Sequence, residues 1–260
     1  MNRGIGSVLT AILAIATVPG TAQWLNVPTK GIPRTKDGKP DLSAPAPRKL
    51  DGKPDLSGIW DGDKSIEKYH EDIAADFKPR EFPILPWAEA LTLERTRTAH
   101  GDWPPAHCLP TGIVLNDTAA IGYPRKIIQE PGMAVILFEL FGQFRQIFLD
   151  GRELPKDPNP TWWGYSVGHW DGDTLVVDTA GFNGKAWLDF AGHPTTDALH
   201  IRERFRRRDF GHLDLQLTID DPKAYPKPWT VSLSWQFRPD TELLEYVCNE
   251  NEKDLKHLGK

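Results

Sequence analysis

From about residue 125 onward the chain alternates apolar and polar positions with a period of two, the mark of strands that bury one face. The pattern predicts strands at Lys126–Glu130, Ala134–Phe141, Phe144–Asp150, Tyr165–Trp170, Thr174–Ala180, Leu199–Arg207, Leu213–Asp220, Thr230–Phe237 and Leu243–Asn249. Turn-forming pairs separate most of them, among them Pro131-Gly132, Asp150-Gly151, Asp171-Gly172 and Pro239-Asp240. "HWDGDTLVV" is the clearest hairpin, because Asp-Gly tolerates the positive φ angles of a tight turn. Apolar residues at helical spacing, starting at Pro86, predict one helix over Pro86–Ala99. Most neighbouring strands have no crossover helix between them, so they predict an antiparallel meander that closes on itself and loses its edges.

Upstream, "LSGIWDGD" opens a further strand, and Gly58-Ile59-Trp60 matches the Gly-x-Trp of lipocalin-like barrels, where the Trp plugs one end. The expected fold is all-β: one antiparallel lipocalin- or calycin-like β-barrel of eight to ten strands over residues 58–260, with one helix. Residues 23–57 hold six prolines and almost no apolar periodicity, which predicts an extended Pro/Gly-rich arm. Within it DGKPDLS occurs twice, at Asp37–Ser43 and Asp51–Ser57, too short and too few for a solenoid. Only the second copy runs into Gly58-Ile59-Trp60, so the folded domain is expected to start there.

Residues 1–22 read as a signal peptide: Arg3, an apolar run from Ile5 to Val18, and Pro19-Gly20-Thr21-Ala22 as the cleavage region. Cleavage after Ala22 predicts a periplasmic or secreted protein. No stretch reaches the roughly 20 apolar residues of a membrane helix, so no membrane span is expected.

Charge narrows the partners. The net charge is −5, and seven Lys/Arg against four Asp make residues 23–57 basic, so the remainder is acidic and argues against nucleic acid. The one dense basic run, Arg202, Arg204, Arg206, Arg207 and Arg208, is interleaved with Glu203 and Asp209 and reads as a solvated strand face. Two cysteines, Cys108 and Cys248, belong to no Cys-x-x-Cys and no zinc spacing. In an oxidising compartment they predict a disulfide, closing a loop worth about 4–5 kcal/mol in the chain-entropy model.

Candidate chemistry follows from the alternation. In "LHIRERF" Glu203 shares a face with Leu199, Ile201 and Phe205, which sends a carboxylate inward, a costly position unless it is paired or protonated. Arg145 is its expected ion-pair partner, and a general acid or base is the functional alternative. The loop Gly181–Ala198 carries Trp187, Asp189, His193 and Asp197 at a barrel mouth, with His193 placed to exchange protons near neutral pH. Tyr165 and His169 share a strand face and are expected to enter the lumen. Trp163, in "NPTWWGY", offers a stacking surface for an aromatic ring or sugar. His193, His200 and Glu203 lack a zinc spacing, and no phosphate loop or Gly-x-Ser-x-Gly is present, so neither metal nor cofactor is expected. Two functions fit: an enzyme using acid/base chemistry on a small apolar or aromatic molecule in the barrel (lyase, isomerase or hydrolase), with Glu203, His193 and Tyr165 catalytic; or a carrier of a small hydrophobic ligand.

The motifs "RQIFLDGRELP", "GYSVGHWDGDTLVVDTAGF", "DDPKAYPKPW" and "EYVCNEN", with the doubled DGKPDLS arm, resemble a family of exported bacterial proteins over nearly all of the mature chain. The resemblance implies a natural exported domain and assigns neither a reaction nor a catalytic residue.

Overall fold

The computed structural model describes residues 29–98, 101–119 and 122–248. Residues 1–22, expected to be a signal peptide, therefore lie outside the described residues. Among the described residues nine strands form one closed barrel in sequence order: β1 Gly58–Gly62, β2 Arg125–Glu130, β3 Met133–Phe138, β4 Gln143–Phe148, β5 Tyr165–Asp171, β6 Thr174–Ala180, β7 His200–Arg207, β8 His212–Asp220 and β9 Trp229–Phe237. β1 pairs with β9 to close it. The predicted helix is present as α2, Pro86–Arg97, and two shorter ones accompany it, α1 at Glu67–Glu71 and α3 at Ile113–Thr118.

Two expectations need correction. Neighbouring strands are antiparallel except β4 and β5, which run parallel through Ile147↔Ser166 and Phe148↔Val167. Residues 149–164 bring the chain back along the barrel without a helix, so it enters β5 in the direction of β4. The strand expected at 243–249 is absent: residues 243–248 are irregular, and Asn249 lies outside the described residues. With β1 already paired to β9, the closed barrel offers this segment no free edge. Instead it is held by the Cys108–Cys248 disulfide and by Leu244 N donating to Glu139.

Alternation fills the lumen with side chains. Trp60, Ile127, Ile136, Ile147, Val177, Phe205, Leu217, Leu233 and Trp235 all point inward and are buried. The void among Leu56, Ile127, Ala134, Ile136, Ile147, Leu175 and Phe205 measures about 10 Å³. Room for one water takes roughly 10–15 Å³, and a benzene-sized guest about 150 Å³.

The arm is folded onto the barrel, and the repeat explains how. Each copy, together with the arginine three residues before it, makes the same small hairpin, with matching bridges Arg34↔Pro40 and Arg48↔Pro54. In each, the arginine donates to its own glycine carbonyl (Gly38 or Gly52) and to a barrel-side aspartate, Arg34 to Asp240 and Arg48 to Asp173. Gly38 and Gly52 adopt φ of 76° and 80°, the left-handed turn position that favours glycine. In the first copy, Leu42 packs on Gly211, where a Cβ would sit 2.4 Å from the leucine Cβ. In the second, Leu56 plugs the lumen, its carbonyl accepting from Trp60 Nε1 at 2.9 Å. Arg207 completes this closed end, its guanidinium lying over the Trp60, Phe210 and Phe237 rings and donating to backbone carbonyls. It thus departs from the solvated face expected for the arginine run.

Candidate active site

Titratable groups converge in two places. Inside the barrel, Arg145 and Glu203 form the expected ion pair. Arg145 Nη1 donates to Glu203 Oε1 at 2.8 Å and Nη2 donates to Oε2, while the remaining donors reach Ser166 Oγ and Thr179 Oγ1. Both side chains are essentially without exposure. Each nitrogen of Arg145 and each oxygen of Glu203 has a protein partner, and the space around the pair is packed. A ligand-admitting lumen at Glu203 is therefore not what this barrel provides.

The second convergence lies on the rim, in an open groove of about 570 Å³. Its wall is the loop 181–198, which is packed rather than free: Phe182, Trp187, Leu188 and Asp189 are buried. Asp189 organises the loop. Its Oδ1 accepts from Gly192 N and His193 N, and its Oδ2 accepts from Ile73 N at 2.7 Å, tying the loop to the chain following α1. The same Oδ2 receives His193 Nδ1 at 2.6 Å. Beside α1, Phe190 N and Ala191 N donate to the carbonyls of His70 and Glu71.

The His193 ring is held on its other side by Phe82, edge to face at 5.1 Å, itself part of a cluster with Phe77, Tyr225 and Trp229. With Nδ1 committed to Asp189, Nε2 is the nitrogen left for the groove. Burial pulls the His193 pKa down, but the hydrogen bond and charge of Asp189, with Asp72 adding from 4.0 Å, outweigh it and leave the pKa above the ordinary histidine value. Arg80, Phe82, Ile84, Glu89 and Leu93 line the rest of the groove. Arg80 stands in the left-handed region at φ 68°, an unfavourable conformation for a residue with a Cβ, and among the described residues no carboxylate pairs with it.

The predicted site residues thus separate. Asp189 and His193 meet at the groove. Trp187 supports them from beneath, with the Arg95 guanidinium 4.1 Å over its ring and Arg95 Nη1 donating to Gly192 O. Glu203 and Arg145 sit in the lumen as one pair. Tyr165 and His169 do not enter the lumen: Ser166 is the buried residue of that strand, so its neighbours face outward. Tyr165 stacks on Phe148 and accepts from Arg152, and His169 is exposed. Trp163 stacks on Phe138 at 4.9 Å, and Asp197 pairs with Lys223. Asp72, Arg80 and Phe82 were not foreseen. They lie in an irregular stretch between α1 and α2 with no period, and Asp72 is brought to His193 only by tertiary contact.

Asp72, Asp189 and His193 have ligand-type atoms within 4.8 Å of one another, a spacing that could suit a metal ion. Four N–H donors already occupy Asp189, and a cation would have to replace the proton on Nδ1, so the dyad accounts for the geometry by itself. Set against protein-family models, curated proteins and solved structures, the chain matches none.

Proposed function

We propose that the protein is an exported enzyme that performs acid/base chemistry on a small apolar or aromatic molecule seated in the rim groove, with His193 as the proton-transfer group. The observation that carries this reading is the His193–Asp189 bond at 2.6 Å, which fixes a ring that lines the groove and leaves Nε2 as the nitrogen not bound to Asp189. Asp189 acts as a positioning residue that steadies the imidazolium when His193 takes up a proton. Phe82, Ile84 and Leu93 suit an apolar body, and the Arg80 guanidinium suits negative charge that develops as a proton leaves. Export accords with the disulfide, with the leader-like first 22 residues and with the resemblance to exported proteins. A carrier is the second reading. It is favoured by the absence, among the described residues, of any hydroxyl or thiol hydrogen-bonded to His193.

The test is incubation with a panel of small aromatic, terpenoid and glycosidic compounds, followed by mass spectrometry, for the wild type and His193→Gln. Conversion that falls about 10²–10⁴-fold in the variant is the expected result. Conversion undiminished in the variant removes His193 from the chemistry, and saturable binding without conversion selects the carrier. The pH profile has a definite sign. The base form of His193 appears only as pH rises through its raised pKa, so conversion climbs there, above the usual value of about 6.5. Asp189→Asn shifts the climb to lower pH. The stability that the charged pair adds runs the opposite way, present below that usual value and lost as pH rises through the raised one.

A further inference from the structure

All six residues of α3 are buried, and its C-terminal half rests on the lumen. The Trp235 indole donates to the Asp117 carbonyl at 3.0 Å, and Arg125 donates to the carbonyls of Asp117, Ala119 and Tyr123. The Asp117 side chain points into the barrel, has no solvent exposure, and finds no hydrogen-bond donor for either oxygen. The groups facing it are Glu203 from β7, Arg145 from β4 and Arg125 from β2. None of these supplies the missing bond. Arg145 gives four of its five N–H donors to Glu203, Ser166 and Thr179, and Arg125 gives its terminal nitrogens to backbone carbonyls while its buried Nε, like the Asp117 oxygens, finds no hydrogen-bond partner. Glu203 brings only another carboxylate. Two carboxylates face one another without repulsion only when a proton lies between them.

We propose that Asp117 carries a proton in the folded protein, donated toward Glu203, and that this proton keeps α3 in its seat over the barrel, so that ionisation releases the helix. Glu203 is held by hydrogen bonds from Arg145, whereas Arg125 acts on Asp117 by charge alone and donates no hydrogen bond to its side chain, which assigns the proton to Asp117. Burial first, and the Glu203 charge second, push the Asp117 pKa well above the carboxylate range, while Arg145 and Arg125 pull it back only in part. Release reaches the rim through α1. The His70 ring is turned to the Leu115 carbonyl of α3, and the chain from His70 to Ile73 makes the backbone bonds that hold Phe190, Ala191 and Asp189. The same proton therefore sets how firmly the groove wall is held.

Hydrogen–deuterium exchange of the full chain across a pH series tests this, with intrinsic exchange rates divided out and Asp117→Asn as the matched variant. The Asn amide supplies the hydrogen that the protonated acid supplies and cannot ionise. Expected in the wild type is an open fraction for peptides covering 113–118 that grows about tenfold per pH unit, ahead of β8 and β9, as one proton is lost on opening. In Asp117→Asn the α3 peptides stay protected at every pH. Equal α3 protection in the two proteins throughout overturns the proposal. If the variant does not fold, a wild-type ratio of α3 to β8 exchange that is constant with pH overturns it equally. The readout is backbone exchange, so it is decided whether or not the groove converts any compound.

Discussion

Glu203 and Asp189 are both fully buried carboxylates, and their partners give them different work. Glu203 is enclosed by Arg145 on a rigid strand pair, so its charge is matched and its neighbours are fixed. Breaking such a pair by removing one charge leaves the other uncompensated in a packed interior. Glu203→Gln is therefore expected to lower unfolding free energy by about 3–5 kcal/mol, measured by urea denaturation, while leaving conversion by the folded fraction unchanged. Loss of conversion at unchanged stability would return Glu203 to the chemistry. The inward direction of Glu203 and its pairing with Arg145 followed from period-two alternation alone. The outward direction of Tyr165 and His169 did not, because "YSVGHWD" has small residues, Ser166 and Gly168, at its inward positions and so lacks the apolar signal that marks a face. Asp72 and Arg80 had no signal of any kind, since irregular backbone carries no period.

At the scale of elements, the duplicated heptapeptide is a docking unit used twice. Each copy closes a tight hairpin with the arginine three residues before it, which points at a barrel-side aspartate, and delivers one leucine to the surface or the lumen. The two anchors differ in weight. Arg48 and Asp173 are largely exposed, and such pairs contribute little because water and salt screen them. Leu56 is buried at 1 % exposure, and its loss should cost about 2–5 kcal/mol as a large-to-small core change. Leu56→Ala is thus expected to lower the melting temperature sharply and Arg48→Ala hardly at all. The reverse order would mean that the arm is held by charge and not by burial. The strands, their turns and α2 were readable in the sequence because period and turn chemistry are local. The parallel β4–β5 seam was not, because strand direction is set by the path of residues 149–164, which carries no periodic signal. The arm turns back on itself twice, and its attachment depends on contacts such as Arg34 with Asp240 that are remote in sequence.

For the molecule as a whole, one end of the barrel is sealed by the arm and Arg207, the lumen is filled, and α3 covers the residues around Glu203. The disulfide ties the C-terminal segment back to the loop before α3, across 140 residues. On the proposed reading, a molecule built this way presents its chemistry at the rim, where His193 lines an open groove, and not on its axis. The direct measurement is an exchange footprint of the full chain with a compound that the panel shows to be bound or converted. Protection concentrated in 72–93 and 189–193 is the predicted result. Protection confined to β4 and β7, or to the apolar groove formed by Lys49, Leu50, Leu149 and Trp170, would contradict a working site at His193.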